Sequence, residues 1–292
     1  MFHSKHDSAE LHAAARAIGG CPIYVSDVPG EHNADLLKKL VLPDGRTLRS
    51  NLPGRPTRDC LFADVGQDGT TPLKIWNENK GGGGVVGAFH VQGVAWNFET
   101  NQNEVVNTSP SPITASVKPF DVETLRKCNV EDSFAIWRHR AEELNLVQEG
   151  FETVETTLQS PRDWEIFTVA PLQKSHGVVW APIGLSNMLN SGGAIEYAGP
   201  LEDTISKSPG STSKWQQSTT IGVSSRGPGT FVAYCQPAPS TIFIDDSVGK
   251  GISPELSFDH DPKTGLLRFD LPHDSPVRIQ MPYQLTIAWD KA

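Results

Sequence analysis

Hydrophobic positions in the first forty residues follow a helical period interrupted once. Leu11, Ala14, Ala15 and Ile18 fall at the i, i+3, i+4, i+7 spacing of one helix face. Asp7 is placed to cap this helix and Glu10 to reach back from its first turn, and Gly19-Gly20 ends it. Cys21-Pro22-Ile23-Tyr24-Val25-Ser26 is then nearly continuous in apolar character, the pattern of a parallel strand buried on both faces. Asp27 stands at its C-terminal end, Val28-Pro29-Gly30 turns the chain, and Asn33 is placed to cap a second helix over 34–42. Leu36, Leu37, Leu40 and Val41 make that helix's stripe, and Pro43-Asp44-Gly45 stops it. A single buried strand is not a sheet, because its backbone groups need ladder partners on both sides. The two helical stripes likewise need a surface to cover them. Residues 1–42 are therefore expected to be a fragment of an α/β unit, and removing residues 1 to about 65 is expected to improve solubility.

From about residue 73 the period shortens. Leu73–Trp76, Val85–Val91, Phe134–Trp137, Phe151–Leu158, Trp164–Ala170, Val178–Trp180 and Ala194–Tyr197 read as strands. So do Ser218–Val223, Thr230–Tyr234, Thr241–Ile244, Leu266–Phe269 and Tyr283–Trp289. Short strands at this density, punctuated by Gly and Pro, predict an antiparallel β-sandwich. Gly81–Gly84 reads as a turn and not a phosphate loop, since no Lys-Ser/Thr follows and no helix opens there. Residues 99–116 and 200–215 are rich in small polar residues and read as loops. Between the two regimes, Pro53-Gly54-Arg55-Pro56-Thr57-Arg58-Asp59-Cys60-Leu61-Phe62 has two readings. It is a linker with local ion pairs, or a rigid loop that sets polar groups beside a polar substrate.

Composition narrows the function classes. The chain has 292 residues, and 25 Lys plus Arg against 34 Asp plus Glu leave a formal charge of -9. That balance argues against a nucleic-acid-binding surface, and no polybasic run exists to hold an anionic membrane. No run of about 18 apolar residues is present to span one, and Glu10, His12 and Arg16 break the apolar character a signal peptide would need. Cys21, Cys60, Cys128 and Cys235 show no short spacing, and the nine His form no H-E-x-x-H arrangement. Neither a metal nor a cofactor is expected, and the cysteines read as buried free thiols in a reducing compartment. Trp76 and Trp96 read as core in apolar strand patterns, in preference to sugar platforms.

Four segments carry a resemblance. MFHSKHDSAELHAAARAIGGCPIYVSDVPGEHNADLLKKLVLPDG, LPGRPTRDCLF, LKIWNENK and GVVGAFHVQGVAW resemble the raffinose synthase, stachyose synthase and alkaline α-galactosidase family, related to the wider α-galactosidase group. DWEIFTVAP and VVWAPIGLSNMLNSGGAIE are similar, more loosely, to that family's C-terminal β-domain. The resemblance implies an α/β fragment, the last helix–strand–helix of a (β/α)8 barrel, over 1–50. A connecting segment over 51–72 and a C-terminal antiparallel β-sandwich over 73–292 would follow. Residues 9–18, 21–26 and 34–42 would be the helix before the eighth barrel strand, that strand, and its following helix.

The chemistry implied is that of a retaining enzyme, with two carboxylates about 5–5.5 Å apart across the anomeric carbon. In the resembled family the nucleophile lies in a K-x-D motif and the acid/base Asp in a later Asp-rich motif. Neither occurs here in context, and both are expected ahead of Met1, so no catalytic residue is assigned in this chain. Met1 and Phe2 would complete a D-W-D-M-F-type segment and line the sugar pocket. Asp27, at the C-terminal end of a barrel strand, would stand in or behind that pocket, or simply form the turn. His32 would hydrogen-bond an outer sugar, or serve as a cap or a solvated residue. Arg55, Arg58 and Asp59 would brace the junction or touch substrate.

The function implied is that of a C-terminal fragment of a galactinol:sucrose galactosyltransferase-like enzyme. A fragment of an α-galactosidase acting on raffinose-type sugars remains open. So does a non-catalytic carbohydrate-binding β-sandwich or an inactive remnant. Partners would be α-galactosides (galactinol, sucrose, raffinose) in the intact enzyme, and the location cytoplasmic.

Overall fold

The computed structural model describes residues 1–129, 131–200, 219–244, 255–273 and 282–289. The loop expected over 200–215 falls outside them from residue 201, as does Ser218. Helix α1 spans Ala9–Ile18 and α2 spans Ala34–Lys38. The strands are β1 (Arg55–Pro56), β2 (Leu73–Glu78), β3 (Gly84–Phe89), β4 (Val94–Asn97), β5 (Gln102–Val105), β6 (Ile113–Val117), β7 (Phe134–Arg138) and β8 (Glu143–Val147). They continue with β9 (Val154–Leu158), β10 (Trp164–Pro171), β11 (Gln173–Ser175), β12 (Val178–Leu185), β13 (Ile195–Pro200) and β14 (Thr219–Ser225). The last are β15 (Gly229–Gln236), β16 (Thr241–Ile244), β17 (Phe258–Asp261), β18 (Leu266–Leu271) and β19 (Tyr283–Trp289).

These strands form a six-stranded sheet, β1-β2-β3-β10-β7-β8, a five-stranded sheet, β11-β12-β15-β18-β17, and a four-stranded sheet, β13-β14-β19-β16. Two hairpin-sized pairs, β4-β5 and β6-β9, complete them. Every ladder within these sheets is antiparallel. The architecture is mixed α/β with few helices and several antiparallel sheets, and no closed barrel forms among the described residues. The five- and four-stranded sheets enclose one core, built on Trp180, Phe231, Phe269, Leu285 and Ile287. These two sheets, built from β11–β19, pack face to face as a sandwich.

The central strands of the six-stranded sheet, β3, β10 and β7, are buried on both faces, which is why they read as nearly unbroken apolar runs. Alternation divides its side chains. Val86, Phe134, Ile136, Phe167 and Val169 point toward Ile113, Val117, Phe120 and Leu158 of the β6-β9 layer and its neighbouring turns. The opposite parity, Val85, Phe89, Trp164 and Ile166, packs against Phe2, α1 and α2. Further along this second face, Ala135, Trp137 and Ala170 meet Ala181, Ile183, Val232 and Tyr234 of the five-stranded sheet.

The N-terminal segment is thus covered within this chain. Helix α1 buries Ala9, Ala13, Ala14, Ala17 and Ile18, while Leu11 and Ala15 are only half-buried. The stripe is therefore centred one residue away from the expected one. Alanines let the helix approach the sheet closely. A β-carbon on Gly87 would sit 2.5 Å from Ile18 Cδ1 and 2.7 Å from the Phe89 ring, so a larger residue there would have to displace one of these side chains. Asn77 Nδ2 donates to the Ile18 carbonyl at 2.8 Å and the Leu189 N–H to the Lys39 carbonyl at 3.0 Å. Both bonds tie the helical segment to the β region. At the junction, Asn79 and Asn190 exchange amide hydrogen bonds of 2.9 and 3.0 Å, and Asn190 also donates to Ser50 Oγ at 3.1 Å. All three side chains are buried.

Several sequence expectations need correction. Cys21–Ser26, expected as a strand buried on both faces, does not form one. It makes one parallel bridge, Phe2 to Val25, and Cys21, Pro22 and Tyr24 are exposed. With a neighbour on one side only, two bonds exist: Phe2 N–H to Tyr24 O at 3.3 Å and Ser26 N–H to Phe2 O at 3.0 Å. Helix α2 ends at Lys38, earlier than 42, because the chain tightens there and Val41 bridges Thr47. The N-cap of α1 is Ser8 and makes no side-chain cap bond, so the Asp7–Glu10 cap does not form. Residues 99–116 are not one loop, since β5 and the start of β6 lie within them. Trp76 is core, as expected, but Trp96 is 48% exposed on β4. All four cysteines are free. Cys60 and Cys235 are buried, Cys128 is half-buried, and Cys21 is exposed, against expectation.

His139, just after β7, stacks on Trp164 with ring centroids 6.1 Å apart, and its buried Nδ1 has no hydrogen-bond partner. Burial, with the Lys39 and Arg140 charges added, lowers its pKa from 6.5 to about 4. A depressed pKa means that the folded state resists protonation. Stability is full above pH 6.5 and is lost as pH falls from there through about 4. The loss is expected to approach roughly 3 kcal/mol. Urea unfolding between pH 7.5 and 4 should show it, and a His139→Gln chain should lose distinctly less. Equal slopes for the two chains would contradict the assignment.

Candidate functional site

The residues singled out by sequence occupy two separate polar groupings. The first is centred on Asp27. The turn after Val25 brings its carboxylate against Ser4, two residues beyond the bridged Phe2. Oδ1 accepts from the Ser4 N–H at 2.7 Å and Oδ2 from the Ser4 hydroxyl at 2.6 Å. His32 Nδ1 lies 3.0 Å from Oδ2. Ser4 Oγ in turn accepts from the Asn33 N–H at 2.8 Å, and Asn33 Oδ1 caps α2 by accepting from the Leu36 N–H at 3.1 Å. One carboxylate therefore joins the first residues, the turn and the second helix.

The Ser4 hydroxyl, followed by His32, holds the Asp27 pKa down at about 2. Asp27 is thus ionised at neutral pH and acts as an acceptor, not an acid. An ionised carboxylate only accepts, so His32 Nδ1–H is the donor to Asp27 Oδ2. The His32 side chain is 44% exposed while that of Asp27 is 2% exposed. In this pair His32 faces outward and Asp27 positions it. Met1 is exposed. Phe2 is buried beneath Arg16, whose guanidinium lies 5.3 Å from the ring centroid, and beside His12.

The second grouping lies at the connecting segment. Strand β1 pairs Arg55 with Trp76, and the Arg55 guanidinium sits 5.7 Å from that indole. The Arg58 Nε–H donates to Glu123 Oε1 at 2.6 Å. Asp59 Oδ1 accepts from the Thr57 hydroxyl at 2.6 Å, and Oδ2 lies 2.7 Å from Lys74 Nζ. Lys74 itself is buried. It also reaches Asp121 Oδ2 at 2.9 Å and the Ser116 carbonyl at 2.6 Å. Burial alone would lower the Lys74 pKa, but Asp121 and Asp59 raise it above its ordinary value. Burial alone would raise that of Asp59, and the Lys74 and Thr57 hydrogen bonds bring it below the ordinary range. The Arg58 hydrogen bond, with the charges of Arg126 and Arg55, holds Glu123 down as well.

Sequence reasoning missed Ser4, Lys74, Asp121 and Glu123. For Lys74 a signal existed: it shares strand parity with Trp76, an inward position, while Leu73 and Ile75 take the other face. A lysine on an inward parity demands a buried anion. For Ser4, Asp121 and Glu123 no periodicity points to them. Among the described residues no group of three or more His, Cys, Asp or Glu could hold a metal. No helix there is long and apolar enough to cross a membrane.

Comparison with known proteins assigns the class. Residues 1–271 match the family described as raffinose synthase or seed imbibition protein Sip1. The chain belongs to this family of carbohydrate-active enzymes. It is 40% identical over 279 residues to a probable galactinol–sucrose galactosyltransferase 6 of Arabidopsis thaliana, covering 93% of this chain and 34% of that protein. It is 46% identical over 200 residues to a galactinol–sucrose galactosyltransferase of rice, Oryza sativa subsp. japonica, covering 67% and 25%. It is 42% identical over 208 residues to the stachyose synthase of pea, Pisum sativum, covering 68% and 24%. The chain thus spans between about a quarter and a third of the length of these relatives.

Proposed function

We propose that this chain supplies the C-terminal part of a retaining α-galactosyl-transferring enzyme, one that passes galactose from a donor such as galactinol to sucrose. In this reading residues 1–50 are the end of a (β/α)8 barrel, 51–72 the connection and 73–292 the C-terminal β-domain. The enzyme would act on soluble α-galactosides in the cytoplasm. The observation that carries the reading is the family match over residues 1–271. The parallel Phe2–Val25 bridge supports it, with Asp27 just beyond, where a βα-barrel keeps its substrate-facing groups. In this role Asp27 is a positioning residue. It stays charged and orients His32 and the Ser4 backbone at the mouth of the pocket, while Arg55, Arg58 and Asp59 fasten the connection to the β region.

Two measurements test this. The chain alone is expected to turn over neither p-nitrophenyl-α-galactoside nor galactinol plus sucrose, because the family's K-x-D and acid/base motifs do not occur in it in context. Turnover clearly above a vector control would move catalysis into this chain and overturn the reading. Joined behind the remaining two-thirds of the Arabidopsis relative, the chain is expected to restore raffinose formation. In that hybrid Asp27→Asn should raise the galactinol KM about tenfold with a smaller change in kcat, through loss of a charge-assisted hydrogen bond. A hybrid that only hydrolyses raffinose would favour the α-galactosidase alternative.

A further inference from the structure

A cavity of about 260 Å³ opens beside the connecting segment, lined by Arg58, Asp59, Lys118, Phe120, Asp121 and Arg126. It belongs to the second polar grouping and not to the one centred on Asp27. Its chemistry is unusual in having both signs of charge on one small wall, three cations and two carboxylates. Much of that charge is already neutralised inside the protein. Asp59 and Asp121 both lie on Lys74 Nζ, and Arg58 on Glu123. What remains is hydrogen-bonding capacity. Arg126 uses Nε on the Phe120 carbonyl at 3.1 Å, and its two terminal nitrogens have no hydrogen-bond partner among the described residues. Lys118 Nζ stands 4.0 Å from Asp121 Oδ1, beyond hydrogen-bond range, so donor and acceptor face each other across a gap. Asp59 keeps outer lone pairs on a side chain 51% exposed.

We infer that this cavity binds a neutral, hydroxyl-rich ligand, one saccharide or polyol unit, set between the Lys118 and Arg126 donors and the Asp59 and Asp121 acceptors. A hydroxyl donates and accepts at once, so adjacent hydroxyls can satisfy a carboxylate and an ammonium or guanidinium together. A free anion would face two carboxylates and a free cation three basic groups, and each would forfeit half of the wall. The volume is just below the range of drug-sized pockets and suits one ring. Phe120 is 3% exposed and serves as the floor, not as a stacking platform. The inference does not rest on the transferase reading, because binding is measured on the chain alone and needs no turnover.

The test is ligand-observed NMR on the full chain with sucrose, galactose and myo-inositol as probes, and inorganic phosphate as the anionic competitor. At least one neutral probe is expected to bind. Lys118→Gln and Arg126→Gln, each checked for an unchanged melting curve, should each weaken binding roughly tenfold, as loss of a charge-assisted hydrogen bond does. Both side chains sit at the cavity rim and leave the buried Lys74–Asp121 pair intact. If either variant melts early, Lys118→Arg, which keeps the charge and donors, replaces it and is expected to retain binding. No binding of any neutral probe, binding indifferent to both substitutions, or displacement of sucrose by phosphate would each overturn the inference.

Discussion

Removing residues 1–65 is expected to make the remainder insoluble and to abolish its cooperative melting, the reverse of what the periodicity of the first helices suggests. The deletion strips Phe2, α1 and α2 from one face of the six-stranded sheet and uncovers Val85, Phe89, Trp164, Ile166 and Leu189. At about 1.5–3 kcal/mol per buried side chain, the loss is of order 10 kcal/mol, comparable with the whole stability of a typical domain. It also removes the Ile18 and Leu52 carbonyls to which the buried Asn77 amide donates, and the Leu48 and Ser50 partners of Asn190, which keeps only its exchange with Asn79. Soluble yield and circular dichroism melting of the full and shortened chains, at matched concentration, measure the effect. A shortened chain that stays monomeric and melts in one sharp transition would show that α1 contributes little to the fold.

The second large effect is expected at Lys74. Replacing it with Met keeps much of the side-chain volume but leaves Asp121, whose side chain is 5% exposed, with only the longer 4.0 Å ion pair to the half-exposed Lys118. Breaking one partner of such a pair costs about 3–5 kcal/mol. The Ser116 carbonyl loses its donor at the same time. Asp121→Asn placed on top of Lys74→Met removes the stranded charge and should recover a substantial part of the loss, so the two substitutions will be far from additive. Urea midpoints of the two single variants and the double variant decide the matter. A Lys74→Met chain within about 1 kcal/mol of the parent would mean that water reaches Asp121 and screens it. Because Lys74 also anchors Asp59, the same substitution should loosen the turn that carries Arg58.

How far the sequence discloses this architecture depends on whether a strand's pattern comes from its own burial or from its partners. Trp164–Ala170 and Phe134–Trp137 are legible because both of their faces are buried and they read as solid apolar runs. Strand β6 alternates Ile113, Ala115 and Val117 inward, a strand pattern hidden inside a Ser- and Pro-rich stretch. Strand β5 is legible in no way, since all four of its residues are exposed and only pairing with β4 makes it a strand. The opposite error occurs at Cys21–Ser26, where apolar composition suggests a central strand but one bridge to Phe2 is all that forms. At the site, Asp27 is marked by its position after an apolar run and before a turn. Ser4 is not, because its role depends on a contact across 23 residues of chain, and no local pattern encodes that. The Arg58 and Asp59 pair is conspicuous among helix breakers, but their partners Lys74, Asp121 and Glu123 come from elsewhere in the fold.

The contact between helix α1 and the six-stranded sheet has a consequence for how such proteins can exchange segments. Helix α1 rests on a glycine of β3, and the parity facing it comes from strands as distant in sequence as β10. Recombination between two relatives with a crossover near residue 50 would mate one parent's alanine face with the other parent's sheet. Any change of bulk at Ala13, Ala17, Gly87 or Ile166 would then meet a surface that had not changed with it. A crossover that leaves α1 and the six-stranded sheet together keeps both sides of that contact from one parent. The inherited unit is therefore set by the contact surface and not by the visible change of period at residue 73. The end of the helical segment and the β region behind it are constrained to vary together.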